Sequence, residues 1–323
     1  MAYKEKILII RFSSLGDVIL VHPVIKKLSN SNYIVHLLTL KEYSEIFKFN
    51  PFLNKIITFD KKNETLFQLI KKIKQENYYK IIDLQKNLRS ILIKFFFLKK
   101  IISYKKYKFR RFLLVFFKIN LLKKNYVIKN YLETLKKLKI KITEKDFNYE
   151  VFSLKKYLIK TKNKIIAIAP YAKWKTKIWT YFDKLVEVLS KKYLIVILGS
   201  KEDKERKIFK FENNKNVLDL TGKVSILETA DILKQSNLLV TNDSGIMHLG
   251  FGCSIPILII LGSTKKEFGF IPKGKNIFII ENKNLKCRPC DYHGKNKCPK
   301  SHFKCMKDIK LNFVLKKIEK ILK

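Results

Sequence analysis

The chain of 323 residues carries 69 lysines and arginines against 27 aspartates and glutamates, a formal net charge of +42. With 47% apolar residues, 10 glycines and 7 prolines it is neither disordered nor fibrous, and its length allows two domains with separate cores. The charge favours polyanionic partners such as an anionic lipid surface, or it reflects the base composition of the gene, because lysine is spread over nearly every polar face. We expect no specific nucleic-acid partner, since no nucleic-acid-binding motif is present.

The first half alternates strands and helices. Lys6 to Phe12 is predicted to be a strand, and the loop Ser13-Ser14-Leu15-Gly16-Asp17 follows at its carboxyl end. Pro23 lies in the next helical stretch, where we expect a kink or a late helix start. The alternation continues to Leu84 and predicts a parallel sheet, whereas residues 88–139 are predicted to be mostly helical. Ligands of such sheets bind at the carboxyl ends of the strands, so Asp17 is expected to face a site.

Residues 105–117 place cations beside an apolar run. One interpretation is core helices with solvated lysines on the outside, and the other is a surface that rests on anionic lipid headgroups. The apolar runs are shorter than the roughly 20 residues of a membrane span, so we expect a protein that is cytoplasmic or lies on a membrane face. The cations are Lys105, Lys106, Lys108, Arg110 and Arg111.

A polar segment separates this half from a second alternation that begins with the strand Ile165 to Pro170. Later helices are predicted at 181–191, 202–209 and 226–235, with a strand at 193–199. We therefore predict an α/β protein with two Rossmann-like doubly wound domains, 1–158 and 159–323, that face a central cleft.

Two loops of the second half have the composition of an anion site. After the strand Asn237 to Val240, Asp243 and Ser244 can cap a helix that begins near Gly245, whose N–H groups then face a phosphate. The alternative is that Asp243 is only a cap and His248 only a packed helix residue. The loop 171–179 offers three lysines and a hydroxyl that could neutralise a departing diphosphate, but by composition alone an ordinary basic loop is the favoured interpretation.

These motifs resemble those of glycosyltransferase family 9, the bacterial heptosyltransferases. Asp243-Ser244-Gly245-x-x-His248-Leu249, followed by a strand and Gly262-x-Thr264, resembles the donor-site signature, and residues 11–18 and 221–228 resemble two further elements. The resemblance implies a GT-B fold and an inverting enzyme that moves a heptose from ADP-heptose to the lipopolysaccharide inner core. It also implies an anionic lipid-linked acceptor and a peripheral position on the cytoplasmic face of the inner membrane.

The resemblance also implies roles for individual residues. Asp17 would be the general base. Lys177 would bind the donor phosphates, with Trp179 as a packing residue, and Glu202 would bind the ribose, a role for which Asp203 and Glu205 compete. The remaining donor-binding residues would be Asp243, Ser244, Gly245 and His248, and the acceptor-side loop would contain Ser13, Ser14 and Gly16.

No cofactor or divalent ion is expected, because a base and cations suffice for this chemistry and no Asp-x-Asp motif is present. Cys287, Cys290, Cys298 and Cys305 are either structural zinc ligands or free thiols. Two other functions stay open: a GT-B glycosyltransferase with another sugar-nucleotide donor, and a non-catalytic homologue that binds polyanions.

Overall fold

The chain forms two compact units, and each is built around a parallel sheet. The computed structural model describes residues 4–123, 125–211 and 214–323. Unit 1 consists of the described residues up to Lys106 together with Tyr126–Phe152, and unit 2 of the described residues in Tyr107–Asn125 and Ser153–Lys323. The segment from Tyr107 to Asn125 therefore packs with the second half of the chain.

In unit 1, strand β1 lies at the centre of a five-stranded sheet of order β3-β2-β1-β4-β5, in which every pairing is parallel. Aliphatic side chains of β1, β2 and β4 are buried because helices cover the sheet. The elements of unit 1 are β1 Lys6–Ile10, α1 Leu15–Ile19, α2 His22–Asn30, β2 Ile34–Leu40, β3 Lys55–Phe59, α3 Leu66–Gln75, β4 Lys80–Asp83, α4 Leu88–Phe96, β5 Ile101–Ser103 and, after the segment belonging to unit 2, α6 Val127–Leu132.

Unit 1 has the predicted helix break near Pro23, but it contains a strand in the region that was predicted to be mostly helical. The helical stretch after β1 breaks between Ile19 and His22, and Pro23 occupies the first turn of α2, where its missing N–H costs no helical hydrogen bond. The region 88–139 is less helical than predicted. Ile101–Ser103 is the edge strand β5, because Ile101 and Ile102 pair with Ile81 and Ile82 of β4.

Unit 2 contains a six-stranded sheet of order β11-β10-β9-β6-β7-β8, again parallel throughout. The predicted helix 202–209 ends early, at Glu205, since Lys207 has a positive φ of 45° and Ile208 and Phe209 pack on the core. The elements are α5 Lys108–Phe112, β6 Ile165–Ala169, α7 Phe182–Leu189, β7 Leu194–Ile197, α8 Lys201–Glu205, β8 Val217–Asp219, α9 Ile226–Gln235, β9 Leu238–Asn242, α10 Gly245–Gly252, β10 Ile257–Leu261, β11 Ile277–Glu281, α11 Lys304–Lys307 and α12 Leu311–Leu322.

The segment 107–125 combines buried and exposed apolar side chains. Helix α5 continues into a π-helical turn, Leu113–Phe117, and Leu114 and Val115 are buried in a cluster with Phe268. On the outside are Phe109, Phe112, Phe116 and Phe117. Across the described ranges, every helix is too short or too polar to traverse a bilayer.

Candidate functional site

In unit 1, the loop predicted to extend from Ser13 to Asp17 ends at Ser14, and Asp17 lies in the first turn of α1 against a buried arginine. A guanidinium nitrogen of Arg11, Nη2, lies 2.6 Å from Asp17 Oδ2, and the Ser14 hydroxyl donates to the same oxygen at 3.3 Å. Arg11 is only 5% exposed, and its Nη1 donates to the backbone oxygen of Leu84. Asp17 thus carries its charge beside a fixed cation while part of its side chain stays accessible.

The loop after the neighbouring strand β4 orients this arrangement. The side-chain oxygen of Gln85 accepts hydrogen bonds from the backbone N–H groups of Phe12 at 2.9 Å and Ser13 at 3.2 Å. Gln85 is itself fixed, because its N–H donates to Asp83 Oδ1 at 2.8 Å. Sequence reasoning assigned no role to Arg11 or Gln85. The signal for Arg11 is a single cation directly after the apolar residues of the first strand. Gln85 has no such signal, because its contact depends on the pairing of β1 with β4.

In unit 2, three loops bring Lys177, Asp243 and Thr264 together. Lys177 Nζ lies 2.7 Å from Asp243 Oδ2, and the Thr264 hydroxyl donates to that oxygen at 2.8 Å. The three loops follow β6, β9 and β10, which are neighbours in the sheet. Ligands of open parallel sheets bind at this edge, so the predicted anion site has its residues at one location.

Electrostatics favours the charged form of Asp243. Burial alone would raise the pKa of Asp243, but the Lys177 ammonium and the Thr264 hydroxyl outweigh it and lower the pKa below the ordinary aspartate value. An ammonium group has three donors, and Asp243 uses one of them. Lys177 is therefore held in position with two donors left for an anion.

Helix α10 begins at Gly245, as predicted, but the predicted side-chain cap is wrong. Ser244 occupies the N-cap position without a capping hydrogen bond, and its hydroxyl lies 3.4 Å from that of Thr241. Asp243 does not cap the helix because it binds Lys177 and Thr264 instead. His248 is buried within α10. The first N–H groups of α10 thus lack a side-chain acceptor from the cap residue, which suits an external anion.

Asn242 is a third residue to which the sequence analysis assigned no role. It is fully buried, its Oδ1 accepts from the Trp179 N–H at 3.1 Å, and its Nδ2 donates to the Pro170 oxygen at 2.6 Å. These bonds tie the loop that carries Lys177 to the end of β9. Trp179, expected to be a packing residue, is fully buried and donates from its indole to the Ile309 oxygen at 2.8 Å.

The carboxylates after β7 have separate roles. Asp203 is engaged in the capping box of α8 with Ser200, and it also pairs with Arg206 at 3.4 Å. Glu202 lies exposed in the first turn, where hydrogen bonds from its own backbone N–H and from Ser200 lower its pKa. Glu202 is thus more available to a ligand than Asp203, while Glu205 is also exposed.

Cys287, Cys290 and Cys298 lie in a loop that braces the Lys177 and Thr264 loops, and Cys305 lies in α11 directly after it. The backbone N–H of Lys295 donates to the Thr176 hydroxyl at 2.7 Å, and that of Cys290 donates to the Ser263 oxygen at 3.1 Å. Burial raises the pKa of the Cys290 thiol, and the nearby thiols of Cys287 and Cys298 add to this effect. Burial also raises the pKa of Cys305, to about 12.

None of these four cysteines takes part in a disulfide bond. Throughout the part of the chain that the structure describes, no group of three His, Cys, Asp or Glu side chains is placed to hold a metal ion. Zinc binding at this loop stays a prediction.

Comparisons with known proteins identify the family. Residues 66–300 match the model for glycosyltransferase family 9 (heptosyltransferase). The chain is 31% identical over 265 residues to lipooligosaccharide heptosyltransferase 2 of Campylobacter jejuni subsp. jejuni serotype O:6, an alignment that covers 77% of this chain and 81% of the relative.

Solved structures show the same fold. A family 9 glycosyl transferase from Veillonella parvula DSM 2008 superposes with a TM-score of 0.79 at 18% identity, covering 100% of this chain and 98% of the other. The ADP-heptose lps heptosyltransferase II of E. coli gives 0.75 at 18% identity, covering 98% of each chain. With the two parallel-sheet units, these structures confirm the predicted GT-B fold. The chain belongs to glycosyltransferase family 9, the heptosyltransferase family that its loop motifs resemble.

Proposed function

We propose that this protein transfers a heptose from ADP-heptose to an acceptor of the lipopolysaccharide inner core. The observation that carries the proposal is the cluster of Lys177, Asp243 and Thr264 at the ends of three neighbouring strands, next to the N-terminus of α10. The names of the similar proteins, a lipooligosaccharide heptosyltransferase and an ADP-heptose heptosyltransferase, support the choice of donor and acceptor.

In this proposal unit 2 binds the leaving group. The two remaining donors of Lys177 and the first N–H groups of α10 bind the diphosphate of the donor, where negative charge grows as the glycosidic bond breaks. Glu202 binds the ribose, and His248 supports the α10 side of the site. These groups supply the positive charge that a divalent ion would otherwise provide, so the reaction proceeds without a metal ion.

Unit 1 supplies the base in this proposal. Asp17 accepts the proton of the acceptor hydroxyl, whose oxygen bonds to the anomeric carbon while the diphosphate leaves from the opposite face, which inverts the configuration. Arg11 stabilises the carboxylate charge, and the loop of Ser13, Ser14 and Gly16 lies on the acceptor side. The hydrogen bonds from the Phe12 and Ser13 N–H groups to Gln85 support the role of Asp17 as the base, because a base must be held rigidly to act on a positioned hydroxyl.

The acceptor determines the proposed location. A lipid-linked core sugar is held at a bilayer, so the enzyme would act peripherally on the cytoplasmic face of the inner membrane. The cations of residues 105–111 and the exposed phenylalanines of 109–117 support an approach to anionic headgroups.

A panel of sugar nucleotides tests the function. Purified protein is given radiolabelled ADP-heptose, UDP-glucose or UDP-N-acetylglucosamine with a heptose-deficient core acceptor, with and without a chelator. We expect transfer from ADP-heptose alone, unaffected by the chelator, and a product of inverted anomeric configuration by NMR. Transfer from a UDP-sugar would establish the alternative donor class. No transfer from any donor, with retained vesicle binding, would favour a non-catalytic polyanion-binding homologue.

We also propose that zinc bound by the cysteine loop has a structural role, since this loop braces the Lys177 loop through Thr176. The metal content of protein purified without chelators tests this, with a variant carrying Cys287→Ser and Cys290→Ser as the comparison. Equal zinc content in parent and variant would leave the four residues as free thiols.

A further inference from the structure

Helix α4 of unit 1 has an apolar outer face. Leu88, Ile91, Leu92 and Phe95 are exposed, Leu88 by 80% and Phe95 by 76%, whereas the buried residues of α4 are Ser90 and Ile93. At roughly 100° per residue the four exposed side chains fall within a stripe about 100° wide. An amphipathic helix normally turns such a stripe to the core, and α4 turns it to the outside.

The stripe continues onto neighbouring elements. The Phe67 ring of α3, 75% exposed, lies with its centroid 6.4 Å from that of Phe96 in an edge-on contact. Leu98, just beyond α4, is exposed as well. Contiguous apolar patches on a protein surface mark interaction sites. We call this surface the α4 ridge, composed of Phe67, Leu88, Ile91, Leu92, Phe95, Phe96 and Leu98.

The surroundings of the α4 ridge are positive. Exposed Arg89 and Lys94 lie on either side of the stripe, and exposed Lys71 and Lys74 belong to α3, with Lys74 Nζ 5.2 Å from the centre of the Phe96 ring. The sequence between Asp83 and Glu133 contains no aspartate or glutamate. The ridge therefore combines an apolar centre with a cationic rim.

The nearby carboxylates do not offset this charge, since two are already paired with lysines and the third is buried. Glu64 pairs with Lys72 at 2.6 Å, Glu76 pairs with Lys6 at 3.1 Å, and buried Asp83 accepts from the backbone N–H of Gln85 at 2.8 Å.

We propose that the α4 ridge inserts into the interface of an anionic bilayer, with its cationic rim at the lipid headgroups. Charge complementarity selects this occupant. A symmetric contact with a second copy would bring the two cationic rims together, and like charges in an interface are repulsive. Anionic lipid offers an apolar layer beneath a negative surface, which matches both parts of the ridge.

This inference rests on the proposed function only for the idea that the acceptor is membrane-bound. It is tested without donor or acceptor, so failure of the transferase assay leaves the vesicle result intact, and the reverse also holds. It also differs from the role proposed for the cations of residues 105–111. Their contribution acts through charge and is lost in high salt, whereas an inserted apolar surface keeps part of its affinity when charges are screened.

Vesicle partitioning of a ridge variant is the first test. The variant carries Ile91→Ser, Leu92→Ser and Phe95→Ser, and the control carries Leu154→Ser, Leu158→Ser and Phe313→Ser at exposed apolar positions of unit 2. The vesicles contain phosphatidylglycerol and phosphatidylethanolamine, and the salt concentration is about 0.5 M, where screening is strong. We expect the affinity of the ridge variant for these vesicles to fall by about tenfold or more, and the control to bind like the parent. Equal binding of ridge variant and parent would overturn the proposal.

An inserted fluorophore gives a second readout that does not depend on weakened binding. In Phe95→Trp, vesicles carrying brominated acyl chains are expected to quench the new fluorescence and shift it to the blue, whereas in Phe313→Trp they are expected to do neither. Absence of quenching at position 95 in bound protein would refute insertion. Sedimentation that shows a parent dimer, a monomeric ridge variant and unchanged vesicle binding would also refute it, because the ridge would then be an interface between copies.

Discussion

Both units pair a carboxylate with a cation at the carboxyl ends of central strands, but the two pairs differ in how exposed the cation is relative to the carboxylate. In unit 1 the cation is the supporting group: the Arg11 side chain is 7% exposed and that of Asp17 is 22% exposed. In unit 2 the Lys177 and Asp243 side chains are almost equally accessible, at 15% and 16%. In the proposed mechanism the buried Arg11 leaves the Asp17 carboxylate to meet the substrate, whereas the accessible Lys177 ammonium keeps two donors for an anion.

The choice of cation fits this difference. The guanidinium of Arg11 is a planar group with donors in a fixed fork, and it bonds Asp17 and the Leu84 oxygen at once, which immobilises the carboxylate. The ammonium of Lys177 sits on a flexible stem, and the two donors that Asp243 does not use can turn toward a diphosphate. The same type of ion pair is therefore rigid in unit 1 and adaptable in unit 2.

Removing the proposed base should have the largest effect. Asp17→Asn keeps an oxygen that can accept from Arg11 but cannot take a proton at neutral pH, so we expect turnover to fall by ~10²–10⁴. Calorimetric titration with ADP serves as the control, because the proposed donor site lies in unit 2 and its affinity should match that of the parent. Near-full turnover in this variant would remove Asp17 from the mechanism.

The next prediction is that unit 1 loses stability in mildly acidic solution, at a pH where unit 2 does not lose the contribution of Asp243. His22 is buried against the Phe47 ring, with centroids 4.4 Å apart, and its Nδ1 is 2.8 Å from the Ile19 oxygen. Burial disfavours the imidazolium and lowers the pKa of His22 to about 4, although the Ile19 hydrogen bond opposes this. Between roughly pH 6.5 and 4 the unfolded state binds more protons than the folded state, so unit 1 should lose about 3 kcal/mol of stability as the pH falls through that window.

Hydrogen exchange in strands β1 and β2 measures this loss in unit 1 specifically. His22→Gln should flatten the pH dependence, whereas His293→Gln, at an exposed position, should leave it unchanged. The carboxylate of Asp243 has a lowered pKa, so its contribution to unit 2 is lost only below the ordinary aspartate range. Identical slopes for the parent and His22→Gln would show that other groups cause the acid sensitivity.

The features that depend on residues close together in the sequence could be predicted from it. The alternation of strands and helices placed Asp17, Lys177 and Asp243 at strand ends, because each lies only a few residues from the strand that positions it. The start of α10 at Gly245 and the break at Pro23 follow from local chemistry in the same way.

The contacts across the sheet could not be predicted. The contacts of Lys177 and Thr264 with Asp243 depend on the order β10-β9-β6, which no local pattern determines. The exposure of the α4 ridge could not be predicted either, since Leu88, Ile91, Leu92 and Phe95 have the spacing of an ordinary core helix. Periodicity identifies an apolar face but does not say what the face contacts.

The adaptable pair of unit 2 should show a smaller effect than the base. Lys177→Ala should weaken ADP binding by ~1.5–3 kcal/mol, the range for a charge-assisted hydrogen bond. Lys175→Ala is the matched control, because Lys175 is exposed in the same loop, and it should bind ADP nearly as the parent does. If calorimetry gives equal affinities for parent and Lys177→Ala, this loop is an ordinary basic loop and the comparison with unit 1 fails.

The smallest effect per residue is expected for the cations of residues 105–111, and it is an effect on vesicle binding. A change of all five cations to Gln would confound charge with structure, because Lys106 donates to the Gln85 oxygen at 3.0 Å and Arg111 donates to the Phe268 oxygen at 3.4 Å. A sharper variant replaces the three exposed cations Lys105, Lys108 and Arg110 by Gln.

Each of these three cations should contribute about 1 kcal/mol to binding of anionic vesicles at low salt. The contribution should vanish near 1 M salt, where the screening length is ~3 Å. Transfer to a soluble, delipidated acceptor should be nearly unchanged in the variant, because the reacting groups are untouched. The control replaces Lys160, Lys162 and Lys320, also exposed, by Gln. If both variants lose the same affinity for vesicles, the general charge of +42 is responsible and residues 105–110 have no special role.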